Sequence, residues 1–230
     1  MFDMHFGDAL LGAILGGVVT FILTVIVEKQ RSPRLGVKIE SPPLDLPPRG
    51  PFAAGWRVLR VRVANRALPG WANWWLLRAP ADDCRAKITF LRGVDGTDFF
   101  DVPMTGRWVN TPEPYVNFNA TPTGQVPTLF NPQELRSSIS IFAGEDELLD
   151  IAIQVQGESD AFGWNNDAYL CPDWRNPTKR LVPGRYIVEI MVISSGRKHR
   201  DWFRLENDGF FELGQPTPEQ RAMLRRRPLA

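Results

Sequence analysis

A chain of 230 residues, 43% of them apolar, can bury one good-sized core but leaves little room for two independent domains. A formal net charge of +1 provides no global field to draw in nucleic acid, so any basic partner site must be local. Two cysteines, Cys84 and Cys171, are too few and too far apart for a CxxC-type metal site or a disulfide-stapled scaffold. The preferred reading is two free thiols, with a single Cys84–Cys171 bridge as the alternative.

Nineteen residues from Ala9 to Val27 carry no charge. As a helix they would be about 29 Å long, the hydrocarbon thickness of a bilayer. The run is apolar all round, whereas a helix packed on a soluble core shows one apolar stripe. The preceding residues, MFDMHFGD, lack the basic start of a cleaved secretory signal. We expect residues 1–8 to be a short tail and 9–27 a transmembrane helix. Asp3 and Asp8 precede the helix, and Lys29, Arg31 and Arg34 follow it in a basic linker, 28–34. Lys and Arg stay on the cytoplasmic side, so the N-terminus is expected outside and the rest of the chain in the cytoplasm, at the inner membrane of a bacterium. Within the helix Gly12, Gly16, Thr20 and Thr24 recur every fourth residue, beside a stripe of Ala9, Ala13 and Gly17. Small residues at this spacing let two helices approach closely, which points to a homo-oligomer.

Residues 35–213 read as one mainly β domain. Twenty prolines and nineteen glycines punctuate short apolar runs. Leu35 to Glu40 alternates, with Val37 and Ile39 on one side. The seven-residue linker before it reaches at most roughly 23 Å, which keeps the domain near the headgroups. Ser41 to Pro51, with five prolines, is expected to be a stiff surface loop. Trp56 to Arg66 reads as a half-buried strand with Leu59, Val61 and Val63 inward and Arg60 and Arg62 outward. Leu68 to Arg78 suggests a short helix, on which Trp71, Trp74 and Trp75 would share one side as a membrane-interface or partner contact, or else cap the core.

Cys84 to Arg92 is the next strand, followed after Val94-Asp95-Gly96 by a hairpin partner, Thr97 to Met104. Trp108 to Glu134 has weak periodicity and reads as an elaborated loop. Ser138 to Phe142 and the run ELLDIAIQV suggest a second hairpin across AGED, with Leu149, Ile151, Ile153 and Val155 on one face and Asp150 and Gln154 on the other. The strongest pattern is two long strands joined at Ser194 to Arg197, with Tyr186, Val188, Ile190 and Val192 facing the core. Gly184, Arg185 and Tyr186 here resemble the G-x-Y start of the penultimate strand in immunoglobulin-like β-sandwiches, where the tyrosine forms a corner. The resemblance implies a fold and no particular function, and Val188 replaces the cysteine of their inter-sheet disulfide. We expect an immunoglobulin-like β-sandwich of about nine strands preceded by one transmembrane helix. Residues 214–230 form a basic helix or tail with Thr217 as cap, Pro218 in its first turn, and Arg221, Arg225, Arg226 and Arg227 offered to an anionic leaflet.

Enzymatic signatures are missing. His5 and His199 have no visible partner in the sequence, and no nucleophile elbow, HExxH or phosphate loop occurs. Glu145, Asp146, Glu147 and Asp150, with Asp95, Asp98 and Asp101, could offer oxygen ligands to Ca²⁺ but lack EF-hand spacing and read better as solvated turns. Trp108, Trp164, Trp174 and Trp202 could stack on a sugar or fill the core. No cofactor, metal or nucleic acid is therefore expected. The function expected is a non-enzymatic, membrane-tethered protein-binding or scaffolding module. The alternative is a membrane sensor or effector that signals through helix association.

Overall fold

The structure, a computed structural model, describes residues 3–47, 54–72, 76–111, 116–121, 124–129, 138–171 and 174–225. Helix α1 spans Asp3–Arg31, 29 residues, and no residue of its apolar stretch Ala13–Arg31 is buried. It is long and apolar enough to cross a membrane. It also runs four residues into the segment expected to be linker, and it ends where Ser32 precedes Pro33, because proline disfavours helical geometry in the residue before it. Only Ser32, Pro33 and Arg34 then separate helix from sheet, a reach of roughly 10 Å.

Beyond α1 the regular structure of the described chain is mainly β: β1 (Leu35–Leu46), β2 (Trp56–Asn65), β3 (Ala81–Arg92), β4 (Met104–Thr105), β5 (Arg107–Trp108), β6 (Val116–Thr121), β7 (Gly124–Leu129), β8 (Ser138–Ile141), β9 (Asp146–Val155), β10 (Ala161–Gly163), β11 (Arg180–Leu181), β12 (Gly184–Ser194), β13 (Arg197–Asn207), β14 (Phe211–Gly214), then α2 (Pro218–Leu224). Two antiparallel sheets result. One has the order β1-β2-β9-β10-β11 with β5 also on β9; the other has β14-β13-β12-β3-β4 with β8 also on β3. Their inner faces share one core, in which Leu59, Val61 and Leu149 meet Ile88, Phe90, Val188 and Ile190. The arrangement is sandwich-like, with more strands than the expected nine. The surplus comes from pieces of two or three residues, too short for alternation to register, and from β6–β7.

Several expectations change. The proline-rich run does not begin a loop at Ser41: β1 continues to Leu46, and its register shifts between Glu40 and Leu44. As an edge strand with an irregularity, β1 tolerates prolines that an interior strand would not. Thr97 to Met104 is not a full hairpin partner. Leu91 makes one bridge to Asp98, and pairing resumes only at Met104, while Phe99 and Phe100 turn onto the core. Part of the expected loop after Trp108 is a separate two-stranded hairpin, β6–β7. Of the short helix expected over Leu68 to Arg78, residues 73–75 lie outside the described residues; before them the chain turns, with Ala72 N–H donating to the Pro69 carbonyl at 2.8 Å, and Leu76 N–H donates to the Ala72 carbonyl at 3.0 Å. The Pro69-Gly70 pair is a poor helix interior.

The second hairpin is also replaced. β8 pairs with β3 in one sheet and β9 with β2 in the other, so the Phe142–Glu145 turn crosses between the sheets. In β9 the register shifts opposite Leu59 and Arg60, leaving Ile151 as the extra residue. Leu149 and Ile151 therefore enter the core while Ile153 and Val155 emerge on the outer face, instead of all four sharing one side.

At the C-terminus the expected cap is present. Thr217 Oγ1 accepts from Gln220 N–H at 3.3 Å, and Gln220 Oε1 accepts from Thr217 N–H at 2.9 Å. Leu224 packs with Leu91, Ile187 and Trp202 on the outside of the second sheet. Thr217→Ala is expected to lower stability by about 1 kcal/mol, read as a shift of the urea midpoint at unchanged slope.

Candidate functional site

Where α1 meets the sandwich, an open basin of about 1090 Å³ is lined by the last helical turn, by the segments that follow β2 and precede β3, and by the β12–β13 turn. Ser195 and Gly196 at that turn have φ of 46° and 77°, both left-handed, as a two-residue hairpin of this kind requires. Asn65, at the end of β2, clamps the junction. Its Oδ1 accepts from Arg34 N–H at 3.1 Å, and its Nδ2 donates to the carbonyls of Ala79 at 3.1 Å and Ile141 at 3.2 Å. The domain also completes the helix end, since Ala79 N–H donates to the Arg31 carbonyl at 2.7 Å.

The lining is strongly cationic. Arg31, Arg34, Arg66, Arg78, Arg197 and Lys198 face Glu28 and Asp82, six cations against two carboxylates. Arg31 lies 3.7 Å from Glu28, which leaves the positive excess on the sheet side. The Arg66 guanidinium passes close over Gly36, where a Cβ would come to 3.1 Å from Nε and Nη2 and push it aside by a few tenths of an ångström. Arg78 is 6% exposed, and its Nε and Nη1 have no hydrogen-bond partner among the described residues. Burial, then the charge of Arg34, pushes its pKa down from the usual range. At the rim, His199 Nε2 sits 2.9 Å from Asp201 Oδ2, which also accepts from Val37 N–H at 3.3 Å.

A second concave site lies on the outer face of the first sheet, a cavity of about 140 Å³. The β9 irregularity turns Asp150 outward beside Val58 and Ile153, and Arg60 Nε meets its Oδ1 at 2.6 Å while Arg107 Nη1 meets its Oδ2 at 3.2 Å. Burial pushes the Asp150 carboxyl up, against the pull of both guanidiniums. Around it Trp56, Trp164, Tyr169 and Trp174 form one aromatic group, with Trp56 and Trp174 ring centres 5.6 Å apart and Trp164 and Tyr169 5.3 Å apart. Packing accounts for the rings: Trp164 and Tyr169 belong to the cluster that covers Val58, Ile153 and Val155.

Gly12, Gly16, Thr20 and Thr24 all lie in α1. The threonine hydroxyls donate within the helix, Thr20 to the Gly16 carbonyl at 2.8 Å and Thr24 to the Thr20 carbonyl at 2.9 Å, and a Cβ at Gly16 would meet nothing within 4 Å. Trp71 is exposed on a turn, while Trp74, Trp75, Arg226 and Arg227 lie outside the described residues. Arg225 is exposed after α2, whose Leu224 sits beside Ile187. That is seven residues from the Ser194 end of β12, roughly 20 Å up the sheet from the basin. Trp108 is wholly buried in the core and Trp202 packs with Leu224, so neither is placed for a sugar. Both cysteines are free thiols, Cys84 in the core and Cys171 half-buried after the turn Asn166–Leu170. Among the described residues no group of three or more His, Cys, Asp or Glu could hold a metal ion. Asp146 instead pairs with Arg62 at 2.7 Å.

Of the basin residues, Arg31 and Arg34 stand out in the sequence as the flank of an apolar run. Arg66, Arg78, Arg197 and Lys198 do not, because each is a single charge in a different segment. No protein-family model matches the chain, and no curated protein matches it either.

Proposed function

We propose that the protein is a single-pass membrane protein, with α1 crossing the cell membrane, the N-terminus outside and an immunoglobulin-like domain in the cytoplasm serving as a tethered module for binding or scaffolding a protein partner. The observation that carries this reading is the junction. A helix able to span a bilayer leads within three residues into a strand, and the carbonyl of its last residue, Arg31, is bonded by the domain itself. A domain attached in this way stands on the headgroups with a fixed end toward them. The cationic basin lies at that end, which agrees with retention of Lys and Arg on the cytoplasmic side. For the immunoglobulin-like part, support comes from Tyr186, whose hydroxyl donates to the Val182 carbonyl four residues upstream at 2.7 Å, the bond that a tyrosine corner makes.

Cell fractionation tests the tether. The full chain should sediment with membranes and resist alkaline extraction, and protease added outside spheroplasts should leave the bulk of it intact. Removal of residues 1–31 should move the domain to the supernatant. Recovery of the full chain in the supernatant, or digestion of the domain from outside, would reject the reading.

The second reading, a sensor or effector, is favoured by the same bonds. Because Ala79 holds Arg31, a shift of the β2–β3 connection on partner binding would act directly on α1 and on packing of its Gly12/Gly16 face. A partner that changes the oligomeric state of the chain in membranes would support that reading, and an unchanged state would support a scaffold.

A further inference from the structure

We propose that the basin at the α1 junction is a binding site for a phosphate group, supplied by the headgroup of an anionic phospholipid, with Arg78 as its buried anchor. A guanidinium is charged at every physiological pH, and placing one inside a protein without a partner is costly. Arg78 is only 6% exposed, lines the basin, and keeps Nε and Nη1 unpaired among the described residues. The cost is removed when an anion enters. Both nitrogens carry N–H groups, and each can donate to an oxygen of a phosphate.

The surroundings select the same chemistry. Arg34 and Arg66 come from the first sheet and Arg197 from the turn of the second, so cations reach the basin from both sides while Glu28 is already held near Arg31. Such an excess repels a cationic group, gives a neutral one no net attraction, and favours an anion. The site is open and its floor includes the last turn of α1, which sets it at the depth of phosphate groups if α1 spans. The lipid as source thus rests on the membrane reading given above, whereas phosphate binding itself does not. Clusters of basic residues just cytoplasmic of a spanning helix meet anionic leaflets in this way.

The test uses the full chain in neutral detergent micelles, with phosphatidylglycerol, phosphatidylcholine and inorganic phosphate as probes. The readouts are the unfolding midpoint and the number of lipids retained in native mass spectrometry. Phosphatidylglycerol should raise the midpoint and remain bound, and phosphatidylcholine should do neither. Arg78→Gln should weaken binding roughly tenfold or more, as expected for one charge-assisted contact. Its midpoint without lipid should be equal or higher, because an unpaired buried charge has gone; a lower midpoint would mark Arg78 as structural and overturn the proposal. Arg197→Gln, on an exposed turn where folding is not at stake, should also weaken binding. Stabilisation by inorganic phosphate equal to that by phosphatidylglycerol would keep the phosphate site and assign its source to the soluble phase. No response to either probe, or an unchanged affinity in Arg78→Gln, would overturn it. A chain that sediments with membranes but binds neither probe loses this site and keeps its tether; one that binds phosphate but does not sediment loses the tether alone.

Discussion

Replacement of Asp150 by alanine is expected to destabilise the protein by about 3–5 kcal/mol, a large fraction of the roughly 5–15 kcal/mol that holds an ordinary domain folded. The carboxylate side chain is 1% exposed, and it is the shared partner of Arg60 and Arg107, whose side chains are 17% and 4% exposed. Its removal leaves two guanidiniums beside each other in an apolar setting, and the loss comes chiefly from those stranded charges. The pair itself need not be worth much. Conversion of all three residues to apolar side chains of similar volume should therefore recover much of the loss. Urea unfolding of the single and triple variants checks both statements: a cost below 1 kcal/mol for Asp150→Ala, or a triple variant as unstable as the single, would mean that the ions are solvated rather than buried. The outer cavity should also lose its floor in the single variant, visible as a change in the fluorescence of Trp56, Trp164 and Trp174 around it.

Asp150 also marks the limit of what alternation can reveal. Asp150 sits mid-strand between Leu149 and Ile151, and alternation alone places it outward with Gln154 and gives no sign that it is buried. Its partners could not be found that way, because Arg60 is one of two outward arginines on β2 and Arg107 lies on a two-residue strand. Nor could the added residue at Ile151 be read, since a bulge is set by the pairing strand, and it sends Ile153 to the face opposite the one expected. Patterns confined to one segment carried through. The uncharged run is one helix, β2 alternates as read, Tyr186, Val188, Ile190 and Val192 line the core, and Thr217 caps α2. The basin belongs to the other kind. Its cations come from four separated stretches that meet only when the ends of both sheets close on α1, and Arg78 looks in sequence like the polar edge of a tryptophan-rich connector.

The junction can be broken without touching helix or core. Asn65→Ala is expected to cost about 2–4 kcal/mol, since it strands the Arg34 N–H and removes the donor to two carbonyls at a site where the side chain has no exposed surface. Hydrogen exchange at the Arg34 and Arg66 amides should speed up, because the Arg66 N–H donates to the Arg34 carbonyl at 3.0 Å and both depend on the same clamp. Amides in the paired middle of β12 and β13, held on two sides by β3 and β14, should change only with global stability. Sedimentation with membranes should not change, as α1 is intact. Phosphate binding should weaken even though Asn65 contributes no charge, because Arg34 and Arg78 keep their positions only while the strand end, the connection before β3 and the helix terminus are tied to one another. A variant that loses stability but binds phosphatidylglycerol as before would show that the basin forms independently of the clamp, and that the helix and the sandwich need not be rigidly joined for the site to work.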